Sequence, residues 1–192
     1  MVHAPPLAAG LATGLAAAAL ALTACSTAPE KGAGSDLRFV SAGNKRQDVA
    51  VANRRPAPPL AGQTLSGGRL DLAALHGQVV VVNFWGSWCA PCRAEAAGLQ
   101  QTYAANRGRG VTFLGVDERD GLAAARSFTR DKGVTYPSLF DQDGTLVSLW
   151  PAGSAVPFTF LIDRQGRIAS RFTGGVLPTD LQPGLNRLVA ER

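Results

Sequence analysis

The chain has few of the residues that build metal sites and disulfide scaffolds. Its 192 residues include three cysteines, two histidines and one methionine. With two of the cysteines in one short motif, the chain lacks the cysteine pattern of a disulfide framework. A structural zinc site needs about four ligands. Beyond residue 25 the only cysteines and histidine are Cys89, Cys92 and His76, so we expect no bound metal.

Charged residues are also scarce, at 17% of the chain, and no run of Lys and Arg is longer than Arg54-Arg55. The formal net charge of +5 comes from scattered cations, which is typical of a solvated surface and not of a nucleic-acid site. Ser87 and Ser154 lack the glycine pattern of a nucleophile elbow, which argues against a serine hydrolase. The chain is 46% hydrophobic and long enough for one ordinary core.

The first 24 residues lack Asp, Glu, Lys and Arg, and from Leu7 to Ala24 they are mostly Ala, Leu, Gly and Thr. This composition predicts an export signal over residues 1–24, because the run is weakly apolar and shorter than the roughly 20 residues of a membrane span. The small residues before Cys25 resemble a bacterial lipobox, which implies removal of the signal and lipidation of Cys25. An uncleaved span and an ordinary secretory signal are the alternatives.

Residues 26–55 are rich in Gly, Ser, Pro, Ala and charge. Their composition predicts a flexible tether over residues 25–55 that leads to a folded domain over residues 56–192. Flexible-chain scaling gives some thirty residues an end-to-end distance on the order of 30 Å. Within the tether, Leu37–Val40 is a candidate strand.

Beyond the tether, the apolar pattern predicts an α/β layout. The run Val79–Phe84 is apolar on both faces, which is typical of a central strand. A helix is expected over 90–106 with Gly108 at its end, and a second, capped by Asp120, is expected to run to about Lys132. Pro183 favours a start of the last helix near Gln182, because a proline further inside would remove a hydrogen bond. A hairpin at 64–70 and strands at 111–116, 138–140, 159–162 and 167–172 complete the prediction.

The most informative segment follows the central strand directly: Trp88-Cys89-Ala90-Pro91-Cys92-Arg93. Pro91 suits the first turn of a helix, which puts Cys89 at the helix N-terminus. Backbone N–H groups and the helix dipole lower the pKa of a thiol there, so Cys89 is the expected nucleophile and Cys92 the resolving thiol. The alternatives are two core cysteines, half a zinc site or a structural disulfide, although so small a loop would make a weak staple.

The order of elements, this motif and the segment Val156–Asp163 resemble the thioredoxin-like proteins of the TlpA/ResA/DsbE group, over about residues 56–192. The segments Val82–Cys89 and Thr135–Leu139 resemble actinobacterial ResA-type lipoproteins, which are tied to cytochrome c maturation. The resemblance implies a thioredoxin-like α/β fold. It has a central mixed sheet flanked by helices, an N-terminal hairpin extension and an inserted αβ segment.

The same resemblance implies an exported thiol–disulfide oxidoreductase, lipid-anchored on the outer face of the cytoplasmic membrane, with no cofactor beyond the Cys89–Cys92 disulfide. It favours a reductant of the haem-binding cysteines of apocytochrome c, recycled by a membrane dithiol donor such as a CcdA-like protein. A general extracytoplasmic disulfide oxidant is the alternative. A metal-handling protein is less favoured, because copper chaperones of this fold space their thiols by three residues and add a histidine. A redox-inert peptide-binding module that uses the Pro157 groove is a further alternative.

The resemblance also implies roles around the dithiol. The Val156–Pro157 bond is expected to be cis and to face the dithiol, with the Val156 backbone pairing with a substrate strand. Trp88 is expected to pack beside the dithiol, and Ala90 and Pro91 to tune its potential. Phe158 replaces the small hydroxyl residue common in the family, and it is expected to line the substrate groove.

Asn83 stands where thioredoxins carry a buried acid that moves a proton to and from the resolving cysteine. Because an amide cannot do this, Glu95 and Glu118 are the candidate substitutes, each weighed against an ordinary surface position. Trp85 is expected in the core, and His76 in an exposed loop.

Overall fold

The computed structural model of the protein describes residues 39–41, 46–153 and 155–191. The strands within these residues are β1 (Phe39–Ser41), β2 (Arg46–Val49), β3 (Ala61–Gln63), β4 (Arg69–Asp71), β5 (Val79–Trp85), β6 (Val111–Glu118), β7 (Ser138–Asp141), β8 (Phe158–Ile162) and β9 (Ile168–Thr173). The helices are α1 (Ala90–Asn106), α2 (Leu122–Asp131) and α3 (Pro178–Ala190). Short 3₁₀ turns cover Val51–Asn53, Leu72–Leu75, Arg107–Arg109 and Val147–Leu149.

The apolar run predicted as a central strand is β5, and every one of its residues is buried. It pairs in parallel with β6 and antiparallel with β8. The described strands of the main sheet follow the order β1-β2-β9-β8-β5-β6-β7, and β3 and β4 form a separate hairpin. A mixed sheet results, because crossovers through α1 and α2 produce the parallel pairs β5–β6 and β6–β7. The hairpins β1–β2 and β8–β9 are antiparallel, and so are the pairs β5–β8 and β2–β9, which join strands far apart in sequence.

Alternation along β5 divides the core between the two faces of the sheet. Val80, Val82 and Phe84 join one apolar cluster, whereas Val79 and Val81 join another. The second cluster includes Leu99 of α1 together with Leu181 and Leu185 of α3. Both helices therefore cover the same face of the sheet, and α1 begins directly after the end of β5.

The bounds predicted for α1 are confirmed, but the glycine that ends this helical segment is not the predicted one. The helix continues into the turn Arg107–Arg109, and the chain leaves it at Gly110, which has a left-handed φ of 73°. Glycine adopts this conformation without the steric cost of a side chain. The stop lies at Gly110 and not at the predicted Gly108.

The predicted N-cap of α2, Asp120, is wrong by one residue. Gly121 is the N-cap and the helix begins at Leu122. Asp120 does not cap the helix, because its carboxylate accepts the backbone N–H groups of Ser87 and Gly121.

The predicted start of α3 is also wrong, because the helix begins at Pro178 and contains Pro183. The Asp180 carboxylate accepts the Leu177 N–H at 2.8 Å and so caps the first turn. Pro178 occupies the first turn, where a proline is pre-organised for a helix. These features offset the one backbone hydrogen bond that Pro183 cannot donate.

The prediction of a flexible tether through residue 55 is wrong for its last part. β1 pairs with β2 and β2 pairs with β9, so the described sheet begins at Phe39 and includes part of the candidate strand Leu37–Val40. Arg54 is buried against Asp163. Main-chain pairing and a buried ion pair outweigh the composition that suggested a tether. Residues 1–38 and 42–45, with the predicted signal and Cys25, lie outside the described residues.

No helix in the described part of the chain is long and apolar enough to span a bilayer.

Candidate active site: the Cys89–Cys92 dithiol

Cys89 and Cys92 form a disulfide at the start of α1, with their Cα atoms 5.3 Å apart. Cys89 is the N-cap residue, and its Sγ accepts the Cys92 N–H at 3.2 Å. The predicted position of Cys89 at the helix N-terminus is confirmed. Pro91 lies in the first turn, where its missing N–H removes no hydrogen bond. A backbone donor aimed at the Cys89 sulfur stabilises negative charge on it.

The exposed surface around the disulfide is formed by its neighbours in sequence, Trp88, Ala90 and Pro91. Both sulfur-bearing residues are buried in this disulfide form, whereas Ala90 and Pro91 are exposed. Trp88 is 56% exposed, and its indole N–H donates to the Glu118 carbonyl at 3.4 Å. The ring lies over Gly86, where a Cβ would stand 2.5 Å from the indole nitrogen. Only glycine at that position leaves room for this packing.

The loop before β8 approaches the dithiol from the other side. The Val156–Pro157 peptide bond is cis, as predicted. The Val156 carbonyl oxygen lies 3.7 Å from the Cys89 Sγ. Gly174 holds the loop by donating its N–H to the Pro157 carbonyl at 3.0 Å.

Phe158 does not line the groove, contrary to the prediction. Its side chain is buried, and the Arg171 guanidinium lies 5.6 Å from the ring centroid. The strand alternation directs Phe158 to the same apolar cluster as Phe84 and Phe160. Trp85 is in the core and stacks on Phe128, and His76 is exposed, as both predictions state.

Glu95 lies on the buried side of α1, one turn after Cys92. Its Oε1 accepts the Asn83 side-chain N–H at 3.0 Å, and its Oε2 accepts the Val176 N–H at 2.8 Å. Asn83 also donates to the Thr159 hydroxyl at 3.1 Å. Asn83 thus serves as a donor that orients a carboxylate supplied by the neighbouring helix.

A small cavity of about 10 Å³ lies behind the resolving cysteine. Cys92, Asn83 and Tyr136 are among its lining residues. Burial raises the pKa of the Tyr136 hydroxyl, and the nearby Glu95 carboxylate raises it further. The cavity therefore belongs to the same buried polar group as Glu95.

Glu118 lies in a different environment from Glu95. It is buried, and its carboxylate contacts the Arg119 guanidinium at 3.4 Å. Burial raises the pKa of Glu118, Arg119 lowers it, and the Asp141 carboxylate raises it. Of the two proposed proton carriers, the structure joins Glu95 to Asn83, whereas it pairs Glu118 with Arg119.

Two acids near the site were not predicted as functional residues. Asp117 is fully buried, and burial, followed by the Asp120 carboxyl group, raises the pKa of Asp117 to about 8. Asp120 accepts the Ser87 N–H at 2.7 Å, two residues before Cys89. An acid at an inward-facing position of an otherwise apolar strand was the available signal for Asp117.

Comparison with known proteins supports this reading of the site. The AhpC/TSA family profile matches residues 54–171. The thiol–disulfide oxidoreductase ResA of Bacillus subtilis is 28% identical over 137 residues, covering 71% of this chain and 76% of that protein. ResA of Geobacillus kaustophilus is 29% identical over 142 residues, covering 74% and 81%.

Two solved structures extend the similarity to nearly the full length of their chains. A secreted thiol–disulfide isomerase from Corynebacterium glutamicum has a TM-score of 0.75 and 31% identity, covering 82% of this chain and 99% of that one. A DsbF homologue from Corynebacterium diphtheriae has a TM-score of 0.71 and 31% identity, covering 81% and 100%. The mixed sheet, the helix-capping disulfide and these similarities agree. The chain belongs to the AhpC/TSA family and is a thiol–disulfide oxidoreductase with the thioredoxin-like fold of the ResA/TlpA/DsbE group.

Proposed function

We propose that this protein is an exported, lipid-anchored reductant of protein disulfides, and that its clients are the haem-binding cysteines of apocytochrome c. The resemblance to ResA-type lipoproteins supports this client. The isomerase from Corynebacterium glutamicum is described as secreted, which supports export of the present chain. Cys25 is the proposed site of lipidation.

In the proposed reaction, the Cys89 thiolate attacks one sulfur of the client disulfide and displaces the other as a thiolate. The Cys92 thiol then loses its proton, and its sulfur attacks Cys89 in the mixed disulfide. The client leaves with both cysteines reduced. The protein has given two electrons to the client and is left with the Cys89–Cys92 disulfide. A membrane dithiol donor of the CcdA type restores the reduced form by the reverse exchange.

Glu95 is the proposed acceptor of the Cys92 proton. Its carboxylate lies one helical turn beyond Cys92 and is held by donors from Asn83 and Val176. The Val156 backbone and the exposed Trp88 form the proposed docking surface for the client strand.

The proposal that the protein acts as a reductant is supported by the two carboxylates near the dithiol, Glu95 and Asp120. Glu95 is buried on α1 one helical turn beyond Cys92, and Asp120 accepts the N–H of Ser87, two residues before Cys89. Carboxylates destabilise a nearby thiolate and so favour the disulfide relative to the reduced form. A strong oxidant requires the opposite, because its reduced form is the stabilised one.

A general extracytoplasmic disulfide oxidant is the second candidate, favoured by the similarity to a secreted disulfide isomerase. The equilibrium reduction potential of the purified protein against glutathione separates the two. A reductant is expected below about −200 mV, and a value near about −120 mV supports the oxidant.

A Cys92→Ser variant tests the client, because it stops the reaction at the mixed disulfide with Cys89. In whole cells, covalent capture of a c-type apocytochrome through its haem-binding cysteines is the expected result. Cys89→Ser is the matched control, since it lacks the attacking sulfur. Capture of unrelated exported proteins without any c-type apocytochrome would contradict the proposed client.

A Cys25→Ser variant tests the anchor separately. We expect the protein to move from the membrane fraction to the soluble extracytoplasmic fraction, because a lipidated cysteine can no longer form. Membrane association unchanged by this substitution would contradict lipidation at Cys25.

A further inference from the structure

The acids Asp117 and Asp120 lie where the end of β6 passes the turn that leads into the dithiol. Asp117 is opposite Trp85 in the parallel β5–β6 register. Asp120 reaches across to the chain that follows β5, because its Oδ2 accepts the Ser87 N–H at 2.7 Å. Its Oδ1 accepts the Gly121 N–H, also at 2.7 Å. One carboxylate therefore links the start of α2 to the approach to Cys89.

The turn that Asp120 binds is closed on the attacking cysteine. The Cys89 N–H donates to the Gly86 carbonyl at 3.1 Å, so Ser87 and Trp88 are the central residues of a four-residue turn. Two side-chain hydrogen bonds link this turn to the end of β6 and the residues after it: Asp120 accepts the Ser87 N–H, and the Trp88 indole N–H donates to the Glu118 carbonyl. The position of the Cys89 sulfur depends on this turn, because the cysteine is its last residue.

Asp117 has an unusual environment for a carboxyl group. It is fully buried, and neither oxygen has an N–H or O–H partner among the residues that the structure describes. Its polar contact is the carboxyl group of Asp120. Two carboxyl groups in contact hold one proton between them, because ionising both places like charges together in a poorly solvated site. Asp120 already accepts two backbone N–H groups, so Asp117 carries the proton and donates it to Asp120.

We propose that the proton shared by Asp117 and Asp120 holds the turn before Cys89, which makes both acids positioning residues for the attacking sulfur. The inference concerns the dithiol step itself and is independent of the client and of the direction of electron flow.

The charged groups around the pair keep this proton in place at neutral pH. Burial, followed by the carboxyl groups of Asp120, Asp141 and Glu118, raises the pKa of Asp117 to about 8. Two cations border this cluster: the Arg119 guanidinium contacts Glu118 at 3.4 Å, and the Arg93 guanidinium donates to the Ser87 carbonyl at 3.3 Å. A second negative charge therefore appears beside Asp120 only in mildly alkaline solution.

Loss of the proton has two effects on the same sulfur. Repulsion between the two carboxylates pushes Asp120 away from the Ser87 N–H and loosens the turn. The added negative charge also disfavours a thiolate on Cys89. Both effects slow the attack of Cys89 at alkaline pH.

The turn can be followed directly through the Ser87 amide resonance of the full-length, oxidised protein. In the wild type we expect a change in the Ser87 proton shift with a midpoint near pH 8, as the pair loses its proton. Asp117→Asn keeps a donor toward Asp120 but removes the titration, so the midpoint is expected to disappear. Asp143→Asn, at an exposed turn position, is the matched control and keeps the midpoint. A Ser87 shift that is flat in the wild type, or that titrates unchanged in Asp117→Asn, would overturn the proposal.

The chemical consequence is measured as the rate at which the reduced protein attacks a small aromatic disulfide. Asp120→Asn is expected to slow this rate about three- to tenfold at neutral pH, because the amide has one acceptor oxygen for the two backbone N–H groups that the carboxylate accepts, and its NH2 group repels one of them. Asp117→Asn is expected to match the wild type near pH 7 and exceed it about two- to fivefold above pH 8. If Asp117→Asn does not fold, the wild-type titration and Asp120→Asn decide the question. Rates for Asp120→Asn that equal those of the wild type at every pH would overturn the proposal.

Discussion

At the scale of single residues, the proposed role of Glu95 as proton acceptor depends on how its buried carboxylate is held. Its two oxygens accept N–H groups from the Asn83 side chain and the Val176 backbone. Asn83 cannot carry a proton itself, but its amide is a donor that fixes the carboxylate in one orientation. Cys92 is buried, so its proton needs an acceptor inside the protein during the release step.

Glu95→Gln is expected to slow the release of the client from the mixed disulfide about 10- to 100-fold, because the amide cannot accept the Cys92 proton. The first step, attack by Cys89, is expected to change much less. Rapid-mixing kinetics with a disulfide-bonded peptide, followed over a pH series, separates the two steps.

Glu118→Gln is the matched comparison for this prediction, since it removes another buried acid that lies against Arg119. We expect the release step of this variant to remain close to that of the wild type. Slow release in Glu118→Gln with normal release in Glu95→Gln would contradict the assignment.

At the scale of secondary-structure elements, α3 shows how packing overrides local preference. Two residues of low helix propensity, Pro183 and Gly184, lie side by side inside it. Gly184 is required by its neighbour across the interface, because a Cβ there would stand 2.6 Å from the Leu161 Cδ1. Leu161 is fully buried in β8 and has little room to move.

Gly184→Ala is therefore expected to destabilise the protein by about 1–3 kcal/mol through overpacking. Helix propensity alone predicts the opposite, a gain of about 1 kcal/mol for alanine. The free energy of unfolding is measured by urea denaturation. Gln101→Ala, at an exposed position of α1, is the control and is expected to change stability by less than about 0.5 kcal/mol. A stabilised Gly184→Ala variant would contradict the close contact with Leu161.

At the scale of the whole molecule, Arg54 joins three parts of the chain that are far apart in sequence. Its guanidinium donates to the Asp163 carboxylate at 3.1 Å and to the Glu191 carboxylate at 2.8 Å. Asp163 lies in the turn between β8 and β9, and Glu191 follows α3. The ion cluster therefore attaches the segment after β2 to the body of the domain.

Arg54→Met is expected to destabilise the protein by about 1–3 kcal/mol, because the buried Asp163 carboxylate then keeps only the Arg167 guanidinium and Glu191 loses its nearest cation. Arg55→Met is the matched control, since the neighbouring side chain is exposed and is expected to change stability by less than about 0.5 kcal/mol. Chemical denaturation monitored by tryptophan fluorescence measures both. Equal stabilities of the two variants would contradict a structural role for the cluster.

The same cluster predicts how stability depends on acid. Burial by itself raises the pKa of Asp163, but hydrogen bonds from Arg167 and Arg54 outweigh it and the net pKa is lowered. An acid with a lowered pKa in the folded state stabilises the protein above its unfolded pKa of about 4, and this stability is lost as the pH falls further. Wild-type stability is therefore expected to decrease below about pH 4, and the decrease is expected to be smaller in Arg54→Met. Parallel curves for the two proteins would contradict this linkage.

The sequence by itself determined the elements whose signals are local. The apolar run of β5, the bounds of α1 and the helix-capping position of Cys89 follow from residue pattern and from a proline in the first turn. Tertiary structure decided what depends on distant partners. The start of α3 depends on Asp180 and on burial against the sheet, and the order of the segment before residue 56 depends on pairing with β9 and on the ion pair between Arg54 and Asp163.

The site divides in the same way. The dithiol could be found from its motif, because the two thiols must lie one helical turn apart, and the candidate acids Glu95 and Glu118 came from the resemblance, in which Asn83 replaces a buried acid. The hydrogen bond of Glu95 with Asn83, the ion pair of Glu118 with Arg119 and the interaction of Asp117 with Asp120 could not be predicted in this way. Which carboxyl group meets which partner is fixed by strand register and helix packing, and these bring together residues that the sequence keeps apart.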